Sequence, residues 1–296
     1  MQSSFRDFLY MDVERLKSIV AQLNEGLTET INKTTTESDQ DKINLGASLL
    51  KMIKVGGENT YLFQNQSSES QTLHDSIYNL AEKLLLKENS LINISKESDI
   101  ETLNINLTSF ILVKGKTFIN DYIYMKRLLD NFEDINKAII SSDIFNNPEY
   151  ASLSEKEKNR IIGQQVKESN ISKELKQSLL TFINNFYNER IVFKSVPSVE
   201  NPEFRFVGTL NKEYLRENIE DIIFKYGTAP QEEWYMFAQV ASIPHGQREH
   251  IDISSGTNEI EQGLQLFFDA LREMEVAGLS ISFPEIAVTP IAIYRQ

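Results

Sequence analysis

The spacing of apolar residues divides the chain into alternating strand-like and helix-like segments. Apolar runs bounded by turn residues predict strands at 5–10, 91–94, 110–119, 191–196, 203–209, 234–243 and 281–294. Apolar residues spaced by three and four predict helices at 13–26, 68–85, 121–140, 152–166, 172–186, 212–226 and 260–276. Polar stretches at 28–41 and 246–257 predict loops.

Capping residues indicate where several of these helices begin and end. Asp12 and Ser172 stand at N-cap positions, and Ser152 with a glutamate three residues later predicts a capping box. Gly26 predicts the end of the first helix, and Gly227 is a candidate left-handed residue at the end of the helix over 212–226.

Two of the predicted helices carry apolar faces that favour burial. On the helix from residue 121 these positions are Met125, Leu128, Leu129 and Phe132. On the helix after Ser172 they are Leu175, Leu179, Ile183 and Phe186. The first of these helices belongs to a strand–helix pattern that suggests a structural unit built around packing.

Two parts of the chain share one pattern, in which a strand containing a glycine leads into an amphipathic helix. The shared positions are Val113, Gly115, Asp121 and Tyr122 in the first copy, and Val207, Gly208, Glu213 and Tyr214 in the second. The pattern predicts a repeated strand–helix unit, with the polar helices between the copies forming an insertion.

The order of elements predicts an α+β fold with two lobes, in which mixed β-sheets are covered by amphipathic helices. From residue 203 the order is β-α-β-α-β, which favours a mixed sheet. We divide the chain into an N-terminal region (1–104), a first strand–helix unit with its helical insertion (105–190) and a C-terminal α+β lobe (191–296).

The C-terminal segment is too apolar to be a free tail. We expect residues 288–294 to pair into the sheet near 234–243, with Tyr294 buried. Pro284 and Pro290 favour an edge strand or a strand with a break, because proline has no N–H to donate to a ladder.

Charge and composition exclude several classes of function. The formal net charge of −13 opposes binding to nucleic acid, since phosphate groups carry charge of the same sign. The chain has no cysteine, which excludes thiolate catalysis and cysteine-based zinc sites. It shows no secretory signal at its start and no apolar run of about 20 residues, so the sequence predicts a cytoplasmic protein without a membrane segment.

No motif in the chain defines a catalytic, cofactor or metal site. Gly115, Lys116 and Thr117 match the end of a phosphate-binding loop, but that motif needs a glycine five residues upstream, where Phe110 stands. The tripeptide also lies within an alternating strand, so an ordinary strand is favoured.

The histidines give no clear chemical site either. His245 and His250 are five residues apart in a predicted loop, where a solvated loop is favoured over a metal or phosphate site. Together with Arg248 they are candidate partner-binding residues. The pair His74 and Asp75 is interpreted as a polar helix end rather than a general acid–base pair.

Several short stretches along nearly the whole chain carry a family resemblance. They are residues 8–12 with Ser18 and 21–23, residues 72–75, residues 110–122, Trp234 with 239–241 and Pro244, and residues 290–295. Together they resemble a bacterial family of unknown function from the Dodola anti-phage defence system. In that system the resembling protein is encoded beside a ClpB-like AAA+ ATPase. The resemblance implies a non-ATPase partner in a defence pair, with no catalytic residues to carry over.

The leading hypothesis is therefore a non-catalytic sensor or adaptor that recognises a phage component, such as a phage protein, and delivers it to, or regulates, the ClpB-like AAA+ ATPase. One alternative is a metal-dependent nuclease effector built from dispersed carboxylates, for which Glu203 and Arg205 give only superficial support. Another is a regulator gated by a small molecule, which would bind in a cleft between the two strand–helix units. Homo-oligomerisation is compatible with each hypothesis. We expect a partner to contact the polar loops 28–41 and 246–257.

Overall fold

The computed structural model of the protein describes residues 5–31, 67–96, 105–244 and 280–296. In these ranges the strands are β1 (Asp7–Met11), β2 (Leu91–Ile94), β3 (Phe110–Asp121), β4 (Ile191–Val196), β5 (Phe206–Leu210), β6 (Trp234–Ser242) and β7 (Ile286–Arg295). The helices are α1 (Val13–Ile31), α2 (Ser67–Lys87), α3 (Tyr122–Asp130), α4 (Phe132–Asn146), α5 (Glu155–Ser169), α6 (Lys173–Phe186) and α7 (Ile219–Tyr226). No helix within the described ranges has both the length and the apolar character needed to span a membrane.

Five of the strands close into a barrel, in the order β3, β4, β5, β7 and β6, with β6 pairing back to β3. The β5–β7 pair is parallel and the other four pairs are antiparallel. Outside the ring, β2 joins β3 in parallel and β1 joins β7 in antiparallel orientation. The predicted mixed sheet with helices around it is confirmed.

The predicted two lobes and the repeated unit are not confirmed. One sheet contains strands from 1–104, 105–190 and 191–296, so strand pairing does not separate the chain into lobes. The domain boundaries after residues 104 and 190 remain predictions.

The long strands β3 and β7 close the ring because each contacts different neighbours along its length. Residues 110–115 of β3 pair with β6, and residues 116–121 pair with β4. Along one side of β7, residues 286–287 pair with β5 and residues 292–295 pair with β1. Along its other side, almost the whole of β7 pairs with β6. The barrel is filled by buried side chains that include Ile111, Val113, Phe193, Phe206, Trp234, Met236 and Ile293.

Gly115 and Gly208 lie where backbone segments approach closely inside this ring. A Cβ atom on Gly115 would lie 2.2 Å from the carbonyl oxygen of Val196, and one on Gly208 would lie 2.6 Å from Cδ of Pro290. Neither position leaves space for a side chain. The glycines of the two similar segments are thus explained by close approach between strands.

A second core lies outside the barrel, where α1 and α2 cover β1, β6 and β7. Tyr78 of α2 contacts the rings of Phe8, Phe237 and Tyr294 edge-on, at centroid distances of 5.0, 5.8 and 5.6 Å. The Arg6 guanidinium lies 5.0 Å from the ring centroid of Tyr78 and 5.1 Å from that of Tyr294. These contacts hold both ends of the described chain against α2.

The C-terminal strand has the predicted partner. β7 pairs with β6, and Tyr294 is 1% exposed, so both parts of that prediction are confirmed. β7 is not an edge strand, however, because β6 lies on one side and β5 and β1 lie on the other. Pro290 is accommodated at a break, where the register with β6 shifts between Phe237 and Ala238.

Several predicted helix ends differ from those in the structure. Helix α1 continues past Gly26 to Ile31. The capping box before α5 is formed by Ser154 and Glu157, not by Ser152. The predicted helix 121–140 divides at Asn131 into α3 and α4.

The predicted helix 212–226 is likewise divided, into a 3-10 turn (Lys212–Tyr214) and α7. Between these two elements Leu215 bridges to Tyr10 of β1. The predicted end at Gly227 is confirmed, since this residue follows α7 with φ 72°.

Candidate partner-binding surface

A helical insertion, comprising residues 122–190, leaves the barrel between β3 and β4. These two strands are adjacent and antiparallel, and their last pair is Asp121 with Ile191. Adjacent antiparallel strands are usually joined by two to five residues. In this barrel the connection between β3 and β4 contains the helices α3 to α6 instead. The two strands remain paired up to the residues at which this connection begins and ends.

The base of the insertion is held by several short contacts. The carboxylate of Asp121, which is 4% exposed, accepts hydrogen bonds from the backbone N–H groups of Ile123 at 2.9 Å and Tyr124 at 3.3 Å. The ring of Tyr122 stacks on that of Tyr187 with a centroid distance of 4.4 Å and an interplanar angle of 14°. These contacts fix the direction in which α3 leaves the barrel.

The phenol of Tyr122 is kept neutral in this environment. Burial is the main factor that raises its pKa, the neighbouring Tyr187 raises it further, and Arg190 opposes the change. The Tyr122 phenol therefore keeps its uncharged form across the physiological pH range.

The insertion has only a small core of its own. Ile144 of α4 packs with Ile162 and Val166 of α5, and these three buried residues form a cluster separate from the barrel. In α3 and α6 the buried residues are Leu129 and Ile183 respectively. With only these five buried side chains in four helices, several large apolar residues of the insertion remain exposed.

The docking face, which consists of Leu175, Leu179 and Phe182 of α6, is exposed to solvent. These side chains are 53%, 39% and 50% exposed and lie at i, i+4 and i+7, on one side of the helix. The neighbouring helix α3 also exposes Met125 and Leu128, at 40% and 37%. Grouped apolar side chains on a surface are typical of protein-binding sites.

Most residues of the two apolar faces that the sequence defines on α3 and α6 are not buried. Only Leu129 and Ile183 are buried, because α3 and α6 pack mainly against each other. Helix α5 does not cover these faces, because its apolar residues Ile162 and Val166 pack against α4. The amphipathic pattern predicts which side of the helix is apolar, but it does not predict whether another element packs against that side.

The insertion differs in charge from the rest of the chain. Residues 122–190 contain ten Lys and Arg residues and ten Asp and Glu residues, whereas the whole chain has a formal charge of −13. The excess negative charge therefore lies entirely outside the insertion. A protein partner with a net charge of either sign can approach this region without strong long-range repulsion.

A cleft of about 580 Å³ lies beside the base of the insertion, between Asp121 and Ile123 on one side and residues 212–225 on the other. Its charged side chains are largely paired with each other or with neighbours. Lys225 bonds Glu217, Arg216 bonds Asp75 at 2.6 Å, and Glu220 contacts Arg127 at 3.5 Å. A charged ligand would have to break these pairs, so the cleft is a weaker candidate than the docking face.

The residues proposed from sequence as partner-binding groups, His245, Arg248 and His250, lie outside the described residues, as does the loop 246–257. Most of the loop 28–41 also lies outside them, and its first residues belong to α1. These expectations remain predictions.

Other candidate motifs have structural roles. Lys116 and Thr117 lie inside β3, and the Lys116 ammonium donates to the carbonyl of Gln231, so an ordinary strand is confirmed. His74 and Asp75 lie within α2 and not at its end. Burial and then the nearby Arg216 lower the pKa of His74.

The acidic–basic pair Glu203 and Arg205, a candidate for a nuclease, is not assembled into a site. Arg205 pairs with Glu285, which also contacts Lys194 at 3.4 Å. Within the described ranges, no three His, Cys, Asp or Glu side chains are grouped so that they could hold a metal ion.

The fold and the surface together define a mixed α/β barrel protein with a helical insertion between two adjacent barrel strands. The chain belongs to the family described as a domain of unknown function (DUF6414), whose family model matches residues 5–294. No curated protein and no solved structure matches the chain.

Proposed function

We propose that this protein is a non-catalytic adaptor that binds another protein through the docking face of its helical insertion. The exposure of Leu175, Leu179 and Phe182 on one side of α6 carries the proposal. A helix with apolar residues at i, i+4 and i+7 fits the mode in which a partner groove receives one face of a helix.

The proposed partner is a ClpB-like AAA+ ATPase of an anti-phage defence pair. The support is the resemblance of the sequence to the Dodola family, in which such an ATPase is the neighbour. The phosphate-loop-like tripeptide that begins at Gly115 lies inside β3, so the proposal leaves ATP hydrolysis to the partner. A phage protein recognised by the barrel or its loops is the proposed trigger.

The size of the docking face predicts a reversible complex. Complete burial of a large, fully exposed apolar side chain contributes roughly 1.5–3 kcal/mol. Leu175, Leu179 and Phe182 are already about half buried, so their further burial offers a gross gain of only about 2–4 kcal/mol. Association costs an estimated 4–15 kcal/mol in lost freedom, so these side chains alone cannot form a permanent assembly. Additional contacts from α3 or a change of nucleotide state in the ATPase would decide whether the complex forms.

The proposal predicts where the ATPase protects the adaptor from hydrogen exchange. With the ClpB-like ATPase added, we expect slower amide exchange in α6 and α3, because bound helices open less often. Exchange in β4 and β6 should stay unchanged, since both strands belong to the barrel sheet and carry no residue of the docking face. The measurement should be made without nucleotide, with ATP and with ADP. Absence of protection in all three states, or protection confined to the barrel, would contradict the proposal.

A further inference from the structure

Three buried polar groups inside the barrel have unused hydrogen-bonding capacity. They are the hydroxyls of Thr117 and Ser195 and the indole N–H of Trp234, on side chains 1%, 0% and 1% exposed. Their polar atoms form no hydrogen bond with any described residue. Such groups are rare in folded proteins, because each one costs about 1–3 kcal/mol when it is removed from water without a partner.

The pairing of the strands brings these three groups to the same part of the interior. Thr117 of β3 lies directly opposite Ser195 of β4, and Trp234 of β6 lies opposite Gly115, two residues before Thr117 on the same face of β3. Directly opposed residues have Cβ atoms about 4.5–5.5 Å apart. The Trp234 ring also stacks on Phe193, two residues before Ser195, with a centroid distance of 6.3 Å.

The donors and acceptors of the three groups are complementary to one molecule of water. An indole N–H can only donate, whereas a hydroxyl can donate and accept. Buried waters typically make about three hydrogen bonds to groups that would otherwise be unsatisfied. The carbonyl of Val196 fills the space beside Gly115 and narrows this part of the barrel, which favours water over a larger molecule.

We propose that Thr117, Ser195 and Trp234 form an internal site for one ordered water molecule. The indole N–H of Trp234 donates to the water oxygen, and the water donates to the hydroxyl oxygens of Thr117 and Ser195. The site links β3, β4 and β6 at the place where β3 changes from pairing with β6 to pairing with β4. It acts as a structural bridge at the closure of the barrel and is independent of the proposed docking face.

Removal of one buried hydroxyl distinguishes a hydrated site from unpaired hydroxyls. The melting temperature should fall if the hydroxyl binds water and rise if the hydroxyl has no partner. In Thr117→Val a methyl group replaces the hydroxyl at nearly constant volume. If the hydroxyl binds water, we expect the melting temperature to fall by about 2–6 °C, because a hydrogen bond is lost and the water keeps fewer partners. Ser195→Ala should lower it similarly. The double variant should lose less than the sum, since both hydroxyls bind the same water.

Thr209→Val is the matched control, because Thr209 is an exposed strand residue of β5. We expect its melting temperature to stay within about 1–2 °C of the wild type. A high-resolution crystal structure of the wild type should show one water within hydrogen-bonding distance of all three groups. A higher melting temperature for Thr117→Val, an empty site, or density larger than a water would each overturn the proposal.

Discussion

The Gly115→Ala variant is expected to lose about 3 kcal/mol or more of unfolding free energy, because its new Cβ would overlap the backbone of β4. That atom would lie 2.2 Å from the carbonyl oxygen of Val196 and 2.8 Å from Cα of Pro197. Backbone atoms cannot rotate away as a flexible side chain can, so β3 and β4 must separate where the barrel closes. Equilibrium denaturation in urea measures the effect as a lower midpoint.

The control for this variant is Gly163→Ala in α5, where no atom lies within 4 Å of the added Cβ. Alanine is favoured over glycine inside a helix by about 0.5–1 kcal/mol, so this variant should be slightly more stable than the wild type. Equal unfolding midpoints for Gly115→Ala and the wild type would show that the backbone of β4 does not lie against Gly115 as described.

Removal of the last eight residues, 289–296, is expected to abolish folding. The deletion removes Ile291, Ile293 and Tyr294, each at most 1% exposed, together with the pairing of β7 to β1 and most of its pairing to β6. Burial of each of these side chains contributes roughly 1.5–3 kcal/mol, and their sum is comparable with the total stability of a typical protein. The truncated protein should be insoluble, or should lack the cooperative unfolding transition of the wild type.

Deletion of the exposed Gln296 alone is the control, and it should change the unfolding free energy by no more than about 0.5 kcal/mol. A longer truncation that remained folded and only failed to bind a partner would contradict the placement of β7 in the barrel. In that case the C-terminal segment would be an interface tail and not a barrel strand.

Much of the secondary structure could be predicted from the sequence, but the closure of the barrel could not. The strands from Phe110, Ile191 and Trp234 can be located because their apolar patterns are local signals. No local pattern shows that β3 pairs with β6 over its first half and with β4 over its second, or that β5 and β7 are parallel. These pairings join residues far apart in sequence.

The docking face shows the corresponding limit for functional sites. The spacing of Leu175, Leu179 and Phe182 defines an apolar side of α6, and spacing is the same for a buried face and an exposed one. One available signal is the polarity of α5 from Glu155 to Ser169, which leaves too few apolar residues to cover a second helix. The apolar content of neighbouring helices, weighed together, would therefore have indicated an exposed face.

The central claim, that the docking face binds the partner, is tested most directly by the affinity of the ClpB-like ATPase for three forms of the full-length protein. They are the wild type, the Leu175→Gln/Phe182→Gln double variant and Phe224→Gln, whose altered side chain is 90% exposed on α7. Glutamine preserves the net charge and forms helices well, so all three should unfold at similar denaturant concentrations. Loss of an interface hot spot costs about 2 kcal/mol or more, so the double variant should bind roughly 30-fold more weakly, while Phe224→Gln should bind like the wild type. Equal affinity for all three forms, or no binding by the wild type in any nucleotide state, would contradict the account.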